Sequence, residues 1–199
     1  MLTCAHGGGL LSRLILWGDR EPGEPASRAS HAAMIARPNA SDWRDSILIE
    51  STWPRVRECR SIRFYLERDA GVVIYRHTGL DAQQRSLLLQ IARNYLGERY
   101  GAGNLLWFAA DALVNKSLGW TFYALSRPLR SLLGLGWRWP RLAIFSRLNL
   151  ARPIVCSQLV ALAYQAIGMR ASSLDWAATT PDDIDDFCAA RSDRFERIV

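Results

Sequence analysis

Lysine is almost missing from this chain. Lys116 is the one lysine, so a formal net charge of +6 and a sequence pI of about 9.5 rest on arginine. Guanidinium forks suit carboxylates, phosphates and lipid headgroups; an arginine-rich composition is equally what a GC-rich genome yields. The chain lacks any dense basic block and any recognised nucleic-acid module, which argues against nucleic acid as a partner. Cysteine is also scarce. Cys4, Cys59, Cys156 and Cys188 lie far apart and form no C-x-x-C pair, which argues against a zinc ribbon and against a disulfide framework. The expected setting is reducing and cytoplasmic. No metal-ligand spacing and no cofactor motif is present, so no metal and no cofactor is expected.

Long apolar runs are missing too. No stretch reaches the roughly 18 uncharged apolar residues of a membrane-spanning helix. The first residues, "MLTCAHGGGLLSRLILWGDREP", have no basic start, and Arg13 interrupts their short apolar run, a poor fit to a signal peptide. No hydrophobic stretch precedes Cys4, which argues against a lipoprotein box. There are no internal repeats and no low-complexity segments. What remains is 199 residues, 49% of them hydrophobic. That is enough for one domain with a full core, or one domain plus an insertion.

Periodicity orders the chain. Residues 10–17, "LLSRLILW", suit a short helix or strand, and 18–30 a Gly/Pro-rich loop. "HAAMIA" (31–36) and "ILIEST" (47–52) read as buried strands, and the polar residues between them suit a hairpin connection. "VRECRSIRFYL" (56–66) is mixed in period and suits a strand or an extended segment at a sheet edge. "GVVIYRH" (71–77) is a β-branched strand. From Asp81 the period becomes helical through Leu88, Ile91, Ala92 and Tyr95, with Asp81 as N-cap and Gly97 as stop. Residues 102–150, rich in Leu, Trp and Arg, predict one or two amphipathic helices inserted into a smaller domain. Such a stripe serves packing, with a solvated face, or contact with a membrane surface. After Pro153 a stripe of Leu159, Val160, Ala163, Tyr164 and Ile167 predicts a helix ending at Gly168. "TTPDDIDDF" opens another, with Thr180 as cap, Pro181 at the first position and acids in the first turn. "RFERIV" reads as a closing strand.

One position in this layout is chemical. Cys156, in "RPIVCSQLVALAYQAIG", stands at the start of a predicted helix, where the positive helix end favours thiolate over thiol. A cysteine packed in a helix would explain the same residue. Thiol hydrolysis needs an imidazole to take and return a proton, and a polar acceptor to fix the imidazole tautomer. His31 opens one predicted strand and Glu50 closes the apolar part of the next. Paired antiparallel, they can meet on one face, within reach of a helix that begins at Cys156. Taken singly, His31 is as well read as a strand-end histidine satisfied by backbone, and Glu50 as a solvated edge charge. His6 and His77 fall in the former class, and Cys4, Cys59 and Cys188 read as structural.

"SHAAMI" with "LIEST", then "GERYG", "CSQLVALAYQAIG" and "TPDDI", in that order, resemble the permuted papain-like amidases, the YiiX-like relatives of the NlpC-type cell-wall peptidases. The resemblance covers about 27–100 and 153–187, and "GGGLLSRLI" is similar to the family's N-terminal segment. It implies an α+β, circularly permuted papain-like fold: an antiparallel sheet packed against helices, one domain over 1–199, with a helical insertion at 102–150. By position, it implies Cys156 as nucleophile, His31 as general base, Glu50 as the group that orients His31, and Tyr100 as a residue lining the site near the oxyanion. The implied activity is cysteine-dependent hydrolysis of an amide, or an ester, through an acyl-enzyme. The implied partners are peptide, peptidoglycan-derived or lipid-amide substrates, with peripheral membrane contact through 102–150. A non-catalytic or membrane-associated binding protein on the same fold is the alternative.

Overall fold

The computed structural model describes residues 2–5, 13, 15–17, 29–68, 71–133, 148 and 152–199. The loop expected at 18–28, most of the "GGGLLSRLI" segment, His6, and residues 134–150 of the expected insertion other than 148 lie outside the described residues. The chain is α+β. Strands β1 (Leu2–Ala5), β2 (His31–Arg37), β3 (Ile47–Thr52), β4 (Arg55–Ser61), β5 (Gly71–His77) and β6 (Phe195–Arg197) form a six-stranded sheet in the order β4-β3-β2-β1-β5-β6. Every neighbouring pair is antiparallel.

Among the described residues, the α-helices with both ends described are α1 (Ile62–Leu66), α2 (Ala82–Arg93), α3 (Ala102–Leu133), α4 (Cys156–Ala166) and α5 (Pro181–Ala190). Their starts follow local chemistry. The Asp81 carboxylate accepts from the Gln84 N–H while the Gln84 side chain accepts from the Asp81 N–H, so α2 begins with two otherwise orphaned donors satisfied. Thr180 caps α5, with Pro181 at the first position and Asp182 and Asp183 in the first turn.

Strand alternation sorts the core into two layers. Ala32, Met34 and Ile49 pack with Leu159, Val160 and Ala163 of α4, Leu88 and Ala92 of α2, and Ile184 of α5. Ala33, Leu48, Val72 and Ile74 point the other way, against Ile62 at the start of α1. Each large aliphatic side chain so enclosed contributes roughly 1.5–3 kcal/mol relative to exposure. This anchors α4 across the middle of the sheet and fixes where its first residue lies.

Three expectations need correction. Residues 56–66 are not one extended segment: the edge strand β4 stops at Ser61, and Ile62–Leu66 is helical. Mixed period was the sign of a change of element. Leu2–Ala5, given no element by the sequence, is a strand between β2 and β5. Its four residues are too few to display a period. The start of the insertion is a single helix of 32 residues, and its described part departs from the expected polarity. Asn104 and Asp111 are buried, whereas Leu106 is 72% exposed and Leu113 57%. No helix among the described residues is long and apolar enough to cross a membrane.

Candidate active site around Cys156

The segment leading into α4 is held from three sides. Ser51 Oγ on β3 donates to the Ile154 carbonyl at 2.6 Å, and Tyr100 pairs with Ile154 through a parallel bridge. Gln158, in the first turn of α4, is wholly buried. Its Oε1 accepts from the Val155 N–H at 3.1 Å and from Asn104 Nδ2 at 2.9 Å; its Nε2 donates to the Ala177 carbonyl at 3.1 Å. Ser157 Oγ donates to the Thr179 carbonyl at 2.7 Å. Cys156 is therefore the first residue of a helix whose entry is bonded to β3, to α3 and to the loop before α5.

On the sheet, β2 and β3 pair with Met34 opposite Ile49. Counting back sets Ala33 against Glu50, so Glu50 and His31 share a face one pleat apart, within reach of long side chains. Their contact is direct: His31 Nε2 lies 2.8 Å from Glu50 Oε2. Glu50 is 1% exposed. The Tyr65 hydroxyl, from α1, donates to the same carboxylate oxygen and lies 3.2 Å from His31 Nε2. Arg60 Nη1 approaches the other oxygen, Oε1, at 3.5 Å. With Nε2 turned to Glu50, Nδ1 is the ring nitrogen left for the sulfur, and the His31 ring lies close enough to Cys156 to act on its thiol.

The electrostatics follow from these contacts. Burial opposes a charge on Cys156, but the His31 charge and hydrogen bond, with the Ala32 and Ser157 N–H groups directed at the sulfur, hold the thiol below its ordinary value. Burial likewise opposes a charge on His31; the Cys156 thiolate and the Glu50 hydrogen bond overcome it, and its pKa lies well above the ordinary value. For Glu50, burial is outweighed by the bond to His31 and its charge, by Tyr65 and by Arg60, so the carboxyl lies below its usual range. Burial raises both Tyr65 and Tyr100 and keeps their hydroxyls protonated. The arrangement favours a thiolate and an imidazolium side by side, with a carboxylate behind the ring.

Searches against protein-family models, curated proteins and solved structures return no match to this chain. The site therefore rests on its own geometry.

All four residues singled out from the sequence meet here. Cys156, His31 and Glu50 form a connected row, and Tyr100 lines a cavity of about 280 Å3 that opens at Cys156. The other walls of that cavity are chiefly apolar, from Ile15, Leu105, Phe108 and Ala112 among others. Tyr65 and Arg60 were missed, because both fall in the stretch read as one extended segment. Gln158 was missed because a glutamine in a helix gives no sign of burial. The remaining described candidates sit elsewhere. His77 Nδ1 accepts from the Gly79 N–H at 3.1 Å, a backbone-satisfied histidine as expected, and Cys188 is buried with its thiol pushed up to about 12. Cys59 is exposed. Among the described residues no cluster of three His, Cys, Asp or Glu side chains could hold a metal ion.

Proposed function

We propose that the chain is a cysteine-dependent hydrolase of amides or esters, on a permuted papain-like domain, acting through a thiol acyl-enzyme. The observation that carries the reading is the position of the His31 ring, bonded on one side to a buried carboxylate and close enough on the other to act on the thiol of a cysteine at the first turn of α4. A cysteine kept only for packing needs neither neighbour. The order of the chain, His31 on a strand, Glu50 on the next and Cys156 at a later helix start, also supports the family resemblance.

In the proposed reaction the Cys156 thiolate attacks the carbonyl carbon, forming a C–S bond while the C=O pair moves to oxygen. The Cys156 N–H and the protonated Tyr100 hydroxyl are the donors available to that oxyanion. Collapse of the intermediate breaks the bond to the leaving nitrogen or oxygen, which takes the proton from His31. Water then attacks the thioester, giving one proton to neutral His31. Collapse of the second intermediate expels the thiolate and releases the carboxylic acid, and the proton kept on His31 restores the thiolate–imidazolium pair. Glu50 holds Nε2–H, so that Nδ1 faces the sulfur throughout.

The test is turnover of a panel of peptide, peptidoglycan-derived and lipid amides and the matching esters by wild type and Cys156→Ala. Hydrolysis that disappears with Cys156→Ala and leaves a transient acyl mass on the Cys156 peptide supports the reading. A protein that binds panel members without turnover, and whose Cys156 is never acylated, is a binding module instead.

A further inference from the structure

We infer that the cavity beside Cys156 holds the acyl chain of the substrate, so that the preferred substrates are fatty acyl esters or amides. The inference rests on the hydrolase reading above and adds the substrate class. Three observations carry it. First, Cys156 itself lines the cavity, together with Val155 and Ser157 on either side of it, so an occupant is in line with the sulfur.

Second, His31 does not line it. The leaving group must depart on the His31 side, because His31 hands it a proton. The substituent that extends into the cavity is therefore the one that stays on sulfur, the acyl part.

Third, the walls are carbon. Leu105, Phe108, Ala109 and Ala112 of α3 face Ile15 and Trp17, and the few polar groups, including Tyr100, Ser157 and Thr180, belong to the rest of the lining. A peptide lying there would leave its own N–H and C=O groups unpaired against hydrocarbon. A polymethylene chain loses nothing by entering. At about 30 Å3 for a water-sized group, a volume of about 280 Å3 accommodates about nine methylene-sized groups.

In such a complex the thiolate attacks the acyl carbonyl at the mouth of the cavity and the chain remains in place as the thioester forms. The alcohol or amine leaves with the His31 proton, and water releases the fatty acid.

The test is covalent labelling by two ketones that carry the acyl side of a substrate, 1-chloro-2-propanone and 1-chloro-2-nonanone. Each alkylates sulfur with loss of chloride. Labelling of Cys156 and Cys59 is followed by mass spectrometry of the peptides. Each buried methylene strengthens binding about fourfold, so the nonanone should label Cys156 at least about tenfold faster than the propanone at equal low concentration, with no such ratio at Cys59. Ala109→Trp fills the cavity from an exposed position of α3 and should bring the nonanone-to-propanone ratio at Cys156 close to one. Leu105→Gln, which places an amide in the wall, should lower the nonanone-to-propanone ratio at Cys156. If Cys156 labels readily with both ketones at equal rates, the acyl-chain inference is wrong and the hydrolase reading stands. If Cys156 resists both while Cys59 reacts, both are wrong.

Discussion

Glu50 Oε2 lies 2.8 Å from His31 Nε2, and the carboxylate that carries it is 1% exposed. A buried carboxylate is tolerated when charge and hydrogen bonds surround it. Here His31, Tyr65 and Arg60 do so, and the pair has a pH signature with two limbs. Glu50 has a folded pKa below its ordinary 4.5, so its stabilising contribution is present above 4.5 and is lost as pH falls through the folded value. His31 has a folded pKa above 6.5, so its contribution is present below 6.5 and is lost as pH rises through the folded value. Glu50→Gln should therefore flatten the acid limb. Urea midpoints measured from about pH 3 to about pH 6 check this. An acid limb equally steep in both proteins would show that Glu50 is not charged and paired in the native state.

Reactivity tests the other side of the ring. At pH 6 an ordinary thiol with pKa about 8.5 is almost wholly protonated. Cys156, held below its usual value by His31 and two backbone N–H groups, should be alkylated by iodoacetamide faster than the exposed Cys59, despite its burial. His31→Ala should slow the reaction, since it removes the cation. Glu50→Gln should slow it less, since Glu50 acts through the imidazole. Peptide mass spectrometry of folded protein reads out all three. Equal labelling of Cys156 and Cys59 in wild type would leave Cys156 a packing residue.

Tyr65 connects the pair to α1. Its hydroxyl donates to Glu50 and its ring stacks on His31 with centroids 5.5 Å apart. Tyr65→Phe keeps the ring and removes the donor, so Glu50 Oε2 retains His31 alone. The expected cost is about 1.5–3 kcal/mol, the range for a hydrogen bond to a charged group. Chemical denaturation at pH 7 measures it. A loss below about 0.5 kcal/mol would mean that water or Arg60 replaces the hydroxyl.

The helix starts at Asp81 and Thr180 were legible because caps are written in consecutive residues. Strands β2 and β3 were legible because their apolar runs are bounded by polar ones. Cys156 was legible as a helix start because Pro153 and the stripe from Leu159 bracket it. The meeting of His31 with the start of α4 was expected from the order of the elements, but its route was not: alternation places His31 with Ala33, on the sheet face away from α4, and the ring meets the helix from the first residue of its strand. Tyr65 was hidden by a change of element within eleven residues, at Ser61. In α3 the pattern misled, since Asn104 is buried by the task of bonding the Pro153 carbonyl and Gln158, each across about fifty residues of chain.

Gln158 makes that long-range link testable. In Gln158→Leu the N–H of buried Val155 loses its acceptor, Asn104 Nδ2 loses the Gln158 oxygen, and the Ala177 carbonyl loses the Gln158 donor. Leucine conserves much of the bulk, so the loss is mainly of hydrogen bonds, on the order of 3 kcal/mol for a buried site that gives up three of them. Stability alone would not separate a structural glutamine from a positioning one. The separating readout is the alkylation rate of Cys156 relative to Cys59, measured well below the unfolding midpoint of the variant. If the entry to α4 aligns the sulfur with His31 and with the Ala32 and Ser157 N–H groups, Gln158→Leu should slow Cys156 at pH 6 and shift its labelling profile toward higher pH, while Cys59 is unchanged. A destabilised variant with a wild-type profile would assign Gln158 to folding and leave the alignment of Cys156 to Ser51 and Ser157.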